Sequence, residues 1–191
     1  MNIQRSFQPL VPRPARFDSD AYFKLAPVLQ ANFVKTELRD GVIYDMPADG
    51  SLTTLWNSEI SNWLYRTIGN DFLVVTDKSL RLGDDWVPSP DHYIAETADV
   101  LENTLPEKIL LVIEVSDSTL ESDLGVKADA YAENGIREYW VIDPKEKRLY
   151  AHHLRENGTY GAPEQIGFTD TITAQHIPGL TLRMADLPRI S

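Results

Sequence analysis

The chain has 191 residues, 42% hydrophobic and 25% charged, which is enough for one hydrophobic core in an ordinary globular protein. Its net charge of -11 speaks against tight, non-specific gripping of a phosphate backbone, because that mode needs a basic surface, although 18 Lys and Arg leave room for a local basic groove. The absence of cysteine excludes disulfides, zinc–thiolate sites and thiol nucleophiles.

The opening segment MNIQRSFQPLVPRPARF lacks the continuous apolar core of a signal peptide, and no later run reaches the length of a membrane span. A cytoplasmic protein without membrane contact is therefore expected. Pro9, Pro12 and Pro14 predict an extended arm over residues 1–17, followed by a single domain over 18–191. A short helix comes next, capped by Asp18 or Ser19, with Tyr22, Leu25 and Leu29 on one face. In FVKTELRDGVIYDMP the Asp40-Gly41 pair sits between two apolar-containing runs and signals a hairpin, since that turn needs positive φ.

From Ser51 to Ile68, Trp56, Ile60, Trp63, Leu64 and Thr67 recur at helical spacing. FLVVT and HYIAE read as strands, separated by the breakers Gly83, Pro88 and Pro90. ILLVIEV, from Ile109 to Val115, is a near-continuous apolar run of the kind buried on both faces. Ser118 and Glu121 have capping-box spacing and predict a helix running to Asn134-Gly135, with Leu124, Ala128 and Tyr131 as its buried stripe. EYWVID, a turn at Pro144-Lys145, RLYAHHL and a turn at Asn157-Gly158 predict a β-meander continuing to about Arg183. The whole is an α+β (mixed α/β) fold with a central sheet flanked by helices.

Glu114 stands near the end of ILLVIEV among aliphatic residues. A buried carboxylate must find a metal ion, a lysine or backbone amides, or else take a proton, so Glu114 marks either a site or a structural ion pair. Asp91 follows Pro90 at the start of HYIAE; alone it is a turn signature, but on a strand beside Glu114 its carboxylate would converge with that residue on one hard cation such as Mg²⁺. Lys127 lies at the border of the helix stripe, able to lean towards the sheet or to pair with Asp123 four residues earlier. Glu121, Asp123, Asp84 and Asp85 read as solvated surface acids, and Lys145, Lys147 and Arg148 as a solvated hairpin tip within reach of a phosphate. His152 and His153 point to opposite faces of a strand and cannot readily share one ion.

Together PSPDHYIAE, LLVIEVSDST and SDLGVKADAYAENGIREYWVIDP resemble the Uma-type restriction endonucleases of the PD-(D/E)XK nuclease superfamily. The resemblance spans roughly residues 18–185, with Gly135, Glu138, Tyr139, Trp140 and Asp143 matching together. It implies a restriction-endonuclease-like core with an added N-terminal hairpin and C-terminal meander. Asp91 and Glu114 would be metal-binding and catalytic acids for Mg²⁺, with Mn²⁺ as a substitute, and DNA the substrate. The motif lysine would fall at position 116, where this chain has Ser116, and the resemblance gives that role to Lys127. Glu37, in ELRDG, matches a recurrent family acid that extends the site, against the alternative of a solvated or hairpin-pairing Glu. Asn57 and Asp117 depart from the family pattern, which has His and Pro there. A homodimer is expected by analogy with restriction enzymes. The alternatives are a nuclease fold kept as a binding or assembly module with weak or no turnover, and a metallohydrolase acting on small phosphate esters.

Overall fold

A computed structural model describes residues 14–98 and 106–190. The arm expected over residues 1–17 lies outside these for residues 1–13. Helix α1 (Ser19–Asn32) starts where the Asp18 carboxylate accepts the Ala21 N–H at 2.7 Å, satisfying one orphan donor of the first turn. Strands β1 (Lys35–Arg39) and β2 (Val42–Met46) form a separate hairpin, with Asp40 at φ 47° and Gly41 at φ 73°, as a tight two-residue turn requires. The hairpin meets the rest of the fold through a bridge between Leu38 and Val87, and Leu38 packs with Tyr22 and Val87 in a small core of its own.

After α2 (Ser51–Thr67) come β3 (Phe72–Thr76), β4 (His92–Glu96) and β5 (Ile109–Val115), the last buried along its whole length as its apolar run predicts. Two short helices, α3 (Leu120–Leu124) and α4 (Val126–Glu133), then cross over to β6 (Glu138–Asp143), which pairs with β5 in parallel. Strands β7 (Arg148–His153) and β8 (Glu164–Ile166) complete a six-stranded sheet of order β3-β4-β5-β6-β7-β8, antiparallel except at β5–β6.

The sheet separates two cores. Ile113, Val115, Trp140 and Ile142 face α2 and the C-terminal segment, where Trp56, Ile60, Leu64, Ile177 and Leu187 pack. Val112, Tyr139 and Val141 face the crossover, against Ala128, Tyr131 and Ile136. Among the described residues, no helix is long and apolar enough to cross a membrane.

Two local expectations are corrected. The single helix from Ser118 is two, broken at Gly125, where a side-chain Cβ would sit 3.0 Å from the Glu121 carbonyl oxygen. The capping box is not formed, because Thr119 rather than Ser118 occupies the cap and its hydroxyl goes to Asp123 instead. The meander is also shorter than expected. Beyond β8 the chain leaves the sheet and makes only a minimal hairpin of β9 (Ile172–Thr173) and β10 (Thr181–Leu182).

Candidate active site

The pocket opens where four segments end together: the hairpin, the start of α2, the start of β4, and the turn from β5 into α3. It is small, about 90 Å³, and its wall includes Lys35, Glu37, Asp91, Glu114, Asp123 and Lys127. β4 and β5 are antiparallel neighbours, so the residue just before β4 lies level with the end of β5. The Asp91 Oδ2 accordingly accepts the Val115 N–H at 2.8 Å. Glu114, one residue earlier on β5, turns to the opposite face from Ile113 and Val115, towards α4. There the Lys127 ammonium donates to Glu114 Oε1 at 2.8 Å and the Tyr131 hydroxyl donates to the same oxygen at 3.0 Å. The one-turn spacing of Lys127 and Tyr131 on α4 is what lets both reach a single carboxyl.

Lys127 does not serve Glu114 alone. Its Nζ lies 3.2 Å from Asp123 Oδ1 and 4.0 Å from Glu37 Oε1, so the helical pair and the sheet-directed contact expected as alternatives exist together. Asp123, read from sequence as a solvated acid, is buried, and its Oδ2 accepts the Ser116 hydroxyl at 2.7 Å and the Thr119 hydroxyl at 2.6 Å. Ser116, at the position where the motif lysine would fall, thus holds the acid that pairs with Lys127.

Glu37 is only 1% exposed, which overturns its reading as a solvated hairpin residue. Arg39 donates to its Oε2 through Nη2 at 2.6 Å and Nε at 2.9 Å, and the Ser89 N–H donates to Oε1 at 3.1 Å. Lys35, on the same face of β1, lies 3.8 Å from Asp91 Oδ1 and 3.6 Å from Asp77 Oδ1.

These charges set one another's protonation. Burial drives the Glu114 carboxyl up to about 7 against the pull of Lys127, with Asp91, Asp123 and Glu37 pushing the same way as burial. Burial likewise raises Asp91, with Lys35 and the Val115 N–H in opposition. Glu37 ends below its ordinary value, because Lys127 and Arg39 outweigh its desolvation. Lys127 is held protonated: burial alone would lower it, but Glu114, Glu37 and Asp123 together raise it.

Among the described residues, no group of three or more His, Asp or Glu side chains is arranged to hold a metal ion. The oxygen donors facing the pocket from the sheet are those of Asp91 and Glu114. That donor set, two hard carboxylates beside open space, fits Mg²⁺, which binds through one or two carboxylates and takes its remaining ligands from water or phosphate.

The other residues singled out in the sequence lie elsewhere. Asn57 is half-buried on α2 and lines no part of the pocket. Asp117 lies at the rim, paired with Lys145 at 2.7 Å, so that lysine tethers the β6–β7 turn to the end of β5. Lys147 donates to the Ile190 carbonyl at 2.9 Å and Arg148 to Gln165 Oε1 at 2.7 Å. These turn charges are exposed, as expected of a hairpin tip, and each also makes a contact within the protein. His152 is buried beside Tyr139 and Tyr160, and His153 faces Glu138 from the other side of β7.

Sequence reasoning missed Lys35 and Arg39. Their signal is the alternation in KTELR, which puts Lys35, Glu37 and Arg39 on one face and Leu38 on the other. A charged face on a short strand ordinarily means solvent. Here it means the pocket, because the Leu38–Val87 bridge holds the hairpin against the segment that leads into β4 and Asp91.

Residues 19–185 match the Uma2 family, described as "Putative restriction endonuclease". Among solved structures, a crystal structure titled as a putative nuclease belonging to DUF820, from Anabaena variabilis, superposes with a TM-score of 0.69. It is 15% identical, over 91% of this chain and 97% of that one, a level at which the likeness speaks for the fold. No curated protein matches the chain.

Proposed function

Because this chain belongs to the Uma2 family, we propose that it is an endonuclease hydrolysing phosphodiester bonds of DNA at the pocket of Asp91, Glu114 and Lys127. The observation that carries this reading is the Lys127 ammonium held 2.8 Å from Glu114, in a pocket that also receives Asp91. Asp91 and Glu114 would hold Mg²⁺, with Mn²⁺ as a substitute; such an ion, when bound, polarises the phosphate and acidifies water. Asp91 is oriented for this by the Val115 N–H, and Glu114 by the Lys127 ammonium and the Tyr131 hydroxyl. Lys127 stays protonated and so takes no proton from water. Its part is electrostatic at one remove: it fixes Glu114 and offsets the negative charge of the carboxylates that line the pocket where the transition state's charge builds up. Glu37 and Asp123 keep that ammonium in place. In the reaction the water oxygen bonds to phosphorus as it gives up a proton to solvent, one P–O ester bond breaks, and the departing oxygen takes up a proton from solvent.

The test is magnesium-dependent cleavage of a supercoiled plasmid by the wild type, by Asp91→Ala and by Lys127→Ala, with circular dichroism to verify that each variant is folded. Cleavage lost in folded variants is expected; undiminished cutting by both would overturn the assignment. The net charge of -11 favours a second reading, a nuclease fold serving as a binding or assembly module. DNA binding without cutting under any divalent ion would select it. A homodimer suits a two-strand cut, and sedimentation showing only monomer at assay concentration would remove that part of the proposal.

A further inference from the structure

The two lysines of the pocket are not equivalent. Lys127 is enclosed, with its side chain 6% exposed, and its ammonium is committed to a hydrogen bond with Glu114 and to ion pairs with Asp123 and Glu37. An incoming phosphate would have to displace carboxylates to touch it. Lys35 has 25% of its side chain exposed, and its two ion pairs, at 3.6 and 3.8 Å, are both longer than a hydrogen bond. Its ammonium can therefore turn to a new acceptor at little cost.

Lys35 also stands on a boundary. It lines the pocket of Asp91 and Glu114 on one side, and on the other a larger groove of about 340 Å³ beneath α1. That groove is walled by Phe23, Phe33, Val34 and Lys78, with Ser79 and Ser89 at its base. Its aromatic wall is unusually open, with Phe23 at 37% and Phe33 at 42% exposure, and Val34 beside them at 83%. Arg81, paired with Asp20 at 2.6 Å, lies over the Phe23 ring at 5.2 Å and covers one of its faces, which leaves Phe33 as the freer stacking surface beside Lys35 and Lys78. Open aromatic faces with nearby cations, continuous with a phosphate-cleaving pocket, are the combination that single-stranded nucleic acid uses, since every base has a face to stack. A base-paired duplex would keep its faces stacked and out of reach.

We propose that Lys35 receives a substrate phosphate beside the scissile bond, and that the groove of Phe23 and Phe33 seats the adjoining nucleoside of a single-stranded segment. The proposal rests on the nuclease reading above and specifies which way the strand leaves the pocket. Binding of fluorescein-labelled decathymidylate to the full chain, titrated across salt concentrations in EDTA, tests it. Lys35→Gln should weaken binding by about tenfold and lower the slope of log affinity against log salt by about 0.7, the loss of one phosphate contact. Lys35→Arg should restore the slope. Phe33→Ala should weaken binding by roughly fivefold or more with the slope unchanged, since stacking releases no counterions. A blunt duplex should compete less well than the single strand. Wild-type slope and affinity in Lys35→Gln, or a duplex that competes as well as the single strand, would overturn the proposal while leaving the nuclease reading standing. A wild type that neither binds nor cuts nucleic acid would overturn both.

Discussion

Replacing Lys127 with Met keeps the length of the stem and deletes the charge, leaving Glu114, Asp123 and Glu37 facing one another in a buried space. At an effective dielectric of about 20, each of the three ion pairs is worth roughly 4–6 kcal/mol before the cost of desolvating the ammonium, which offsets most of that sum. What remains when one partner of a buried pair is removed is about 3–5 kcal/mol of lost stability, a large share of the ~5–15 kcal/mol typical of a domain. The melting temperature should fall by about 6–20 °C for a chain of this size. The sign of the pH dependence follows from Glu114, already at about 7 in the fold with Lys127 pulling it down. Without the ammonium it rises further above its unfolded value, so stability is retained at low pH and lost as pH rises through the folded value. Urea unfolding monitored by tryptophan fluorescence should therefore show a larger loss near pH 8 than near pH 5.5, and Lys127→Met/Glu114→Gln should recover part of it. A Lys127→Met variant within about 0.5 kcal/mol of wild type at pH 8 would refute the reasoning, because the lysine would then be an ordinary surface partner.

Glu138 offers a second titration, remote from the pocket: burial drives its carboxyl to about 7, against the Gln175 and Trp140 N–H donors. Stability should decline as pH rises from 4.5 to about 7, by at most on the order of 3 kcal/mol, and Glu138→Gln should flatten that decline in a urea series. Gly135 has φ +79°, and a Cβ there would meet Glu107 only at an ordinary 3.5 Å, so Gly135→Ala should cost about 1 kcal/mol through backbone strain alone. Trp56, 1% exposed in the α2-side core, should cost about 3–5 kcal/mol as Trp56→Ala, read as a lower urea midpoint.

The sheet could be read from the sequence because its strands announce themselves locally. ILLVIEV, EYWVID and RLYAHHL carry their own periodicity, and Asp40-Gly41 fixes its turn through a backbone requirement met within two residues. Asp91, Glu114 and Lys127 could be singled out because each sits oddly for its element: an acid in an apolar strand, an acid at a strand start, a lysine beside a buried stripe. What local pattern could not supply was company. Asp123 looked like a surface acid until Ser116 and Thr119 closed over it, and those hydroxyls belong to the turn whose cap was misassigned. Glu37 and Lys35 belong to the site through the docking of the hairpin on the segment before β4, which periodicity within a strand does not encode. The break at Gly125 was hidden for a related reason. The helical stripe continues across it, and only the crowding of a Cβ against the Glu121 carbonyl, at 3.0 Å, marks the position out.

The parallel pairing of β5 with β6 has a consequence for synthesis on the ribosome. The acid and ammonium joined across that crossover are 13 residues apart, a short and inexpensive closure, whereas the Glu37–Ser89 bond spans 52 residues and Lys127 lies further still from the hairpin. The cations of the amino-terminal wall, Lys35 and Arg39, are made before Asp91 and Glu114, whereas the ammonium that binds Glu114 follows it by 13 residues. A growing polypeptide therefore holds Glu114 without its hydrogen-bonded ammonium until Lys127 has been added.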